Sequence, residues 1–129
     1  MTNPIDHQQF LALLSARFPE VAADMDQSVR GLLHCEMGTF ARATNTAIRA
    51  GDAATVQRHF RFADEVLRDA APEVRHAIAV SYLETLALCG RHAKRIEARR
   101  LLTPRLGQTL TDLEEDLARL YEGQAEGDG

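Results

Sequence analysis

Apolar residues return every third or fourth position through most of this chain, and no stretch of useful length alternates with a period of two. Asn3-Pro4 reads as a helix opening, with Asn3 as N-cap and proline in the first turn. Phe10, Leu11, Leu14 and Phe18 follow at helical spacing until Pro19 breaks the pattern and starts a second helix. There Val21, Met25, Val29 and Leu32 carry the stripe. Gly38 marks a bend or boundary, and Met37, Phe40, Ala41, Thr44 and Ile48 form the next face. Gly51-Asp52 reads as a helix stop followed by a new N-cap.

From Asp52 to Ala70 the periodicity is clearest. Val56, Phe60, Ala63, Leu67 and Ala70 share one face, and Arg61/Glu65 and Asp64/Arg68 form i,i+4 charge pairs on others. Ala71-Pro72-Glu73 is a tight connection. The segment from Val74 to Gly90 is apolar on most sides, which places that helix centrally. A last helix starts at Thr103-Pro104, where Leu106, Leu110, Leu113, Leu117 and Leu120 keep a 4-3-4-3 spacing across Gly107. The fold class is therefore all-α, with five to six antiparallel helices as a compact bundle or a stack of hairpins. A single domain spans 1–122, with a flexible acidic tail over 123–129.

Composition agrees with this and narrows the function. The chain has 129 residues, 45% of them apolar and 26% charged, enough for one globular domain. Two cysteines, Cys35 and Cys89, are too few for a disulfide scaffold. The N-terminus lacks a signal peptide's basic start and apolar core, and no run reaches the length of a membrane helix. A soluble cytoplasmic domain is the expectation. The net charge of −4 argues against a general nucleic-acid coat. That figure conceals segregation. Residues 91–105 carry six basic groups against Glu97 alone, while residues 112–129 carry seven acidic groups against Arg119 alone. Either the two segments compensate each other across a turn or are simply solvated faces, or the basic one contacts nucleic acid through Arg95, Arg99 and Arg100.

Asp69-Ala-Ala-Pro-Glu73-Val74-Arg75, with Ala77 and Leu83, resembles the turn and second-helix start of a HEAT-type repeat. The match covers one hairpin, residues 52–89, and implies a short HEAT-like stack rather than a long solenoid. More broadly, HCEMGTFARATNTAIRAGD, HFRFADEVLRDAAPEVRHAIAVSYLETL and RRLLTPRLGQTL resemble a family of small, uncharacterised bacterial all-helical proteins, over about residues 18–121. That resemblance brings no catalytic residue. It implies a binding role, by association with immunity proteins encoded beside toxins.

Candidate chemistry is sparse. His34-Cys35-Glu36 offers three metal-ligand types, but adjacent helical residues diverge by about 100° and cannot easily grip one ion. Glu73-x-x-His76 has the spacing of a di-iron bundle motif, yet only one copy is present. Cys35, Cys89 and Ser81 carry no nucleophile signature, and no glycine-rich phosphate loop occurs. The expectation is a non-enzymatic chain without cofactor or metal. It would be an immunity protein, monomer or homodimer, that occludes a toxin encoded nearby through a groove lined by Glu36, Phe40, Asp64, Tyr82 and Glu84. The alternative is a nucleic-acid-associated regulator using the basic segment.

Overall fold

A computed structural model describes residues 3–86 and 93–127, with side chains as far as residue 120. Asp6, not Asn3, starts the first helix, α1 (His7–Arg17). The Asp6 carboxylate accepts from the Gln9 N–H at 2.9 Å, and the Gln9 side chain accepts from the Asp6 N–H at 3.1 Å. This reciprocal pair satisfies two donors that a helix start leaves open. Ahead of it the chain is extended: the Ile5 N–H donates to the Asp69 carbonyl at 2.7 Å, and the Ala71 N–H donates to the Ile5 carbonyl at 2.9 Å. That pairing draws the backbone before Asp6 out of helical geometry.

Helix α2 is only Pro19–Ala23, shorter than the stripe to Leu32 predicts. The cause is Asp26. Its carboxylate accepts from both the backbone N–H and the hydroxyl of Ser28, which offers the chain a turn in place of a helix. Those bonds hold the Asp26 carboxyl below the usual carboxylate range. Met25 is still buried, but Leu32 is 53% exposed. The next helix, α3 (Leu33–Ala50), begins before the expected point and carries Gly38 inside it without a break. Gly51 then adopts φ 72°, left-handed backbone that favours glycine. Asp52 caps α4 (Ala53–Asp69) by accepting from the Thr55 N–H at 3.2 Å.

Pro72 opens α5 (Pro72–Ala77), which passes directly into a π-helical segment, Ile78–Leu83. The expected end of this helix at Gly90 lies outside the described residues. A short α6 (Ala93–Arg100) occupies the basic segment, where the lack of an apolar stripe hides it from sequence; Ala98 is its one buried residue among those described. Finally α7 (Pro104–Gly127) starts where expected, with the Thr103 hydroxyl accepting from the Leu106 N–H at 3.2 Å. The tail read as flexible from 123 falls beyond the described side chains. The protein is all-helical, with seven helices and no strand among the described residues; Ile5 and Ala70 form an isolated parallel bridge.

Helix α3 is the hub, touching α2, α4, α5, the π segment and α6. Phe40 lies at its centre. Its ring stacks on Tyr82 at 4.6 Å and meets Phe62 at 5.6 Å, Phe18 at 6.0 Å and His59 at 5.1 Å. Phe10 and Leu14 extend this cluster from α1, and Leu106 and Leu110 from α7. The expected pairs Arg61/Glu65 and Asp64/Arg68 do not form, because their acids bridge between helices. Glu65 takes Arg17 of α1 at 2.7 Å, and Asp64 takes Arg105 of α7 at 3.2 Å. Truncating a fully buried aromatic costs about 3–5 kcal/mol, whereas exposed sites cost under about 0.5 kcal/mol. Urea denaturation should therefore show Phe40→Ala losing several kcal/mol and Leu120→Ala, at a side chain 64% exposed, almost none.

Candidate functional site

Two polar arrangements stand out, one buried and one open. The buried one joins α3, α4 and the π segment. Thr44 Oγ1 lies 2.8 Å from Tyr82 Oη, 2.8 Å from His59 Nδ1 and 3.2 Å from the Phe40 carbonyl. One assignment satisfies all three contacts: Tyr82 O–H and His59 Nδ1–H donate to Thr44 Oγ1, whose own proton goes to the Phe40 carbonyl. Burial, reinforced by the nearby Arg58 charge, pushes the His59 pKa down to about 4, so the ring is neutral near pH 7. Burial likewise raises the Tyr82 phenol above its ordinary value, against the opposing effect of the Thr44 hydrogen bond. Among the described residues no buried side-chain nitrogen or oxygen lacks a partner. This arrangement specifies packing and presents no group to a substrate.

A second buried polar side chain is Glu36, fully enclosed in the first turns of α3. Its carboxylate contacts His7 Nε2 of α1 and accepts from the Gly31 N–H at 3.2 Å. Gly31 reaches it with φ 88°, a conformation that other residues rarely adopt. The three residues His34, Cys35 and Glu36 accordingly point to different surroundings. Glu36 turns inward, Cys35 is exposed, and His34 meets Ser81 of the π segment, with Nδ1 2.5 Å from Oγ.

The open feature is a cleft of about 710 Å³ between the α4–α5 corner and α7. Arg68, Arg75 and His76 rise on one wall, Asp112 and Asp116 on the other, and Leu67, Pro72, Ala79 and Leu113 give it an apolar lining. Arg68 pairs with its neighbour Asp69, and Arg105 at the rim pairs with Asp64, leaving Arg75 as a guanidinium without a partner among the described residues. The Leu stripe of α7 runs past this cleft. Leu106 and Leu110 are buried, Leu113 and Leu117 are half-buried, and Leu120 is exposed.

The groove residues named from the sequence are not brought together. Glu36, Phe40 and Tyr82 are interior, since each finds its partners there: His7 for the carboxylate, the aromatic cluster for the ring, Thr44 for the phenol. Asp64 is half-buried and accepts from the Thr103 hydroxyl at 2.7 Å as well as from Arg105. Glu84 alone of the five is exposed. In the basic segment, Arg99 bridges to Glu114 of α7 at 2.5 Å, and Lys94 donates to the Arg49 carbonyl at 2.8 Å at the C-terminal end of α3. The compensation across the turn is thus realised in part. Arg95 and Arg100 lie on the exposed face of α6. The cleft itself escaped sequence reading, because its walls come from residues 67–79 and 105–116 and neither carries a recognisable motif.

Among the described residues no helix is long and apolar enough to cross a membrane, and no three His, Cys, Asp or Glu side chains are grouped to hold a metal ion. The architecture is that of a small all-helical protein built around one aromatic cluster. The chain belongs to a family defined by a domain of unknown function, DUF7674, whose model matches residues 11–117. No curated protein and no solved structure matches it.

The depressed His59 pKa fixes the sign of a pH effect. The unfolded chain takes up a proton through about pH 6.5, while folded His59 stays neutral until about pH 4. Its contribution to stability is therefore complete above pH 6.5 and falls as pH drops toward 4, by something on the order of 2 kcal/mol. Urea midpoints at pH 7.5, 5.5 and 4.5 should show this acid loss in the native chain. His59→Asn, which keeps a hydrogen-bonding group near Nδ1 without the titration, should flatten it.

Proposed function

We propose that this protein is a non-catalytic protein-interaction module, and in its concrete form a cytosolic immunity protein that occludes a cognate toxin. The observation that carries this reading is the cleft between the α4–α5 corner and α7, with its apolar lining and oppositely charged walls. An apolar lining can anchor a few side chains of a partner and supply most of the binding energy. The walls supply orientation. Asp112 and Asp116 would face basic groups of the partner, and Arg75 an acidic one, so that docking in reverse brings like charges together. A toxin that acts on a polyanion has a basic active site, which suits the acidic wall.

Support for a nucleic-acid role is thinner, because Lys94, Arg99 and Arg105 are engaged within the protein. Co-expression with the adjacent reading frame tests the preferred reading. A complex that copurifies, together with rescue of growth from the neighbour's toxicity, is the expected result. Arg75→Glu and Asp116→Arg should each weaken that complex by roughly tenfold or more, as centrally placed contacts do. Absence of both complex and rescue would overturn the assignment.

A further inference from the structure

The cleft between the α4–α5 corner and α7 has a form as well as a charge. On α7 it is lined by Arg105, Thr109, Asp112, Leu113 and Asp116, whose spacing keeps them on one helix face. At 1.5 Å per residue that face runs about 16 Å, or three helical turns. The facing wall comes from the end of α4, from α5 and from Ala79 of the π segment. Among the described residues that line the cleft, Ala70 alone lies outside a helix. Its extended backbone is already bridged by Ile5, through the Ile5 N–H to the Asp69 carbonyl at 2.7 Å and the Ala71 N–H to the Ile5 carbonyl at 2.9 Å.

These walls select what can enter. A segment seated on the apolar floor leaves water, and each of its backbone N–H and C=O groups then needs a partner. A strand finds those partners along an open sheet edge. Here the walls are helical, the interior turns of a helix leave no row of free amides, and Ile5 already bridges the extended stretch. A helix needs no such edge, because its backbone bonds are internal. It enters a groove through apolar residues at i, i+3 or i+4 and i+7, a stripe that fits within three turns. The charges then define the two edges of that helix. Arg75 is exposed and has no partner among the described residues. Across from it stand the exposed Asp112 and Asp116, engaged within their own helix by Gln108 at 2.9 Å and Arg119 at 3.6 Å.

We propose that the cleft receives one amphipathic α-helix of the partner, about three turns long, with acidic residues along the edge facing Arg75 and basic residues along the edge facing Asp112 and Asp116. This inference rests on the docking role of the cleft and adds the form, length and charge pattern of the inserted element. Opposite signs on the two walls fix the direction in which the helix lies, since turning it end for end exchanges its edges. A helix with one sign on both edges meets its own sign on one wall in either direction, which disfavours it.

Fluorescence anisotropy of labelled synthetic peptides with the full chain tests this. The probes are stapled helices of about 15 residues, a length at which an unstapled helix is marginal. All share one leucine stripe, and their edges are Glu on one side and Lys on the other, Glu on both, or Lys on both. A fourth peptide has the mixed edges but a central proline in place of the staple. The mixed-edge helix should bind, each single-sign helix should bind roughly fivefold more weakly or worse, and the proline peptide should not bind. Arg75→Glu, with circular dichroism showing the helices intact, should shift the preference to the Lys-edged helix. Equal binding by all three helices, equal binding by the proline peptide, an unmoved preference in Arg75→Glu, or no binding by any helix overturns the proposal. A neighbour-encoded partner that copurifies and is weakened by Arg75→Glu and Asp116→Arg, while no helix binds, removes the helical insert and keeps the interaction role. Selective binding of the mixed-edge helix without any complex with the neighbour keeps the helix-binding cleft and removes the immunity assignment.

Discussion

The structure depends on one contact: the stacked rings of Phe40 and Tyr82, locked by the Thr44 hydroxyl between Tyr82 and His59. Stacking fixes how far the π segment stands from α3. The hydrogen bonds fix its rotation, because a phenol and an imidazole buried together tolerate few arrangements that satisfy every polar atom. With α3, α4 and the π segment set in this way, Phe18 and Phe62 close around the same ring, and α1 lies over them. A polar centre in an apolar cluster adds little net energy compared with an apolar equivalent. What it supplies is uniqueness, since an alternative packing would strand a donor or an acceptor.

Much of this was legible where local chemistry decides the outcome. Gly51-Asp52 ends one helix and caps the next because left-handed backbone and a side-chain acceptor are properties of those residues themselves. The stripe from Val56 to Ala70 is buried throughout, as its period requires. The early part of the α7 leucine stripe also behaves as read, while its later part leaves the core, because a period says which face is apolar and not how far the neighbouring surface extends. Legibility fails where a partner is remote. Glu36 reads as a surface acid until His7 and the Gly31 N–H are brought to it, and Phe40 and Tyr82, offered as groove residues, are of types that more often serve as core. Asp26 illustrates a third case, in which a two-residue turn overrides an otherwise helical stripe.

The segregated charge along the chain also has a spatial meaning. Arg99 to Glu114 and Arg105 to Asp64 link the basic segment to α7 and α4, so a block of charge that resembles a recognition element serves partly as internal bracing. Such exposed pairs are individually weak, on the order of 0–1 kcal/mol. Their effect is geometric: they help set α7 at the distance from the α4–α5 corner that leaves the cleft open. Arg105 therefore belongs both to the cleft and to the brace that spaces it.

The pairing of Ile5 with Asp69 and Ala71 bears on how the chain is made. Synthesis proceeds from the N-terminus, so the Ile5 segment is made well before its partners at Asp69 and Ala71. Ile5 has nothing to pair with until the corner after α4 has emerged, and the Phe10 ring has no Phe62 to rest on until α4 is built. The extended segment at Ile5 thus works as a latch that closes only when the chain as far as Ala71 stands ready behind it.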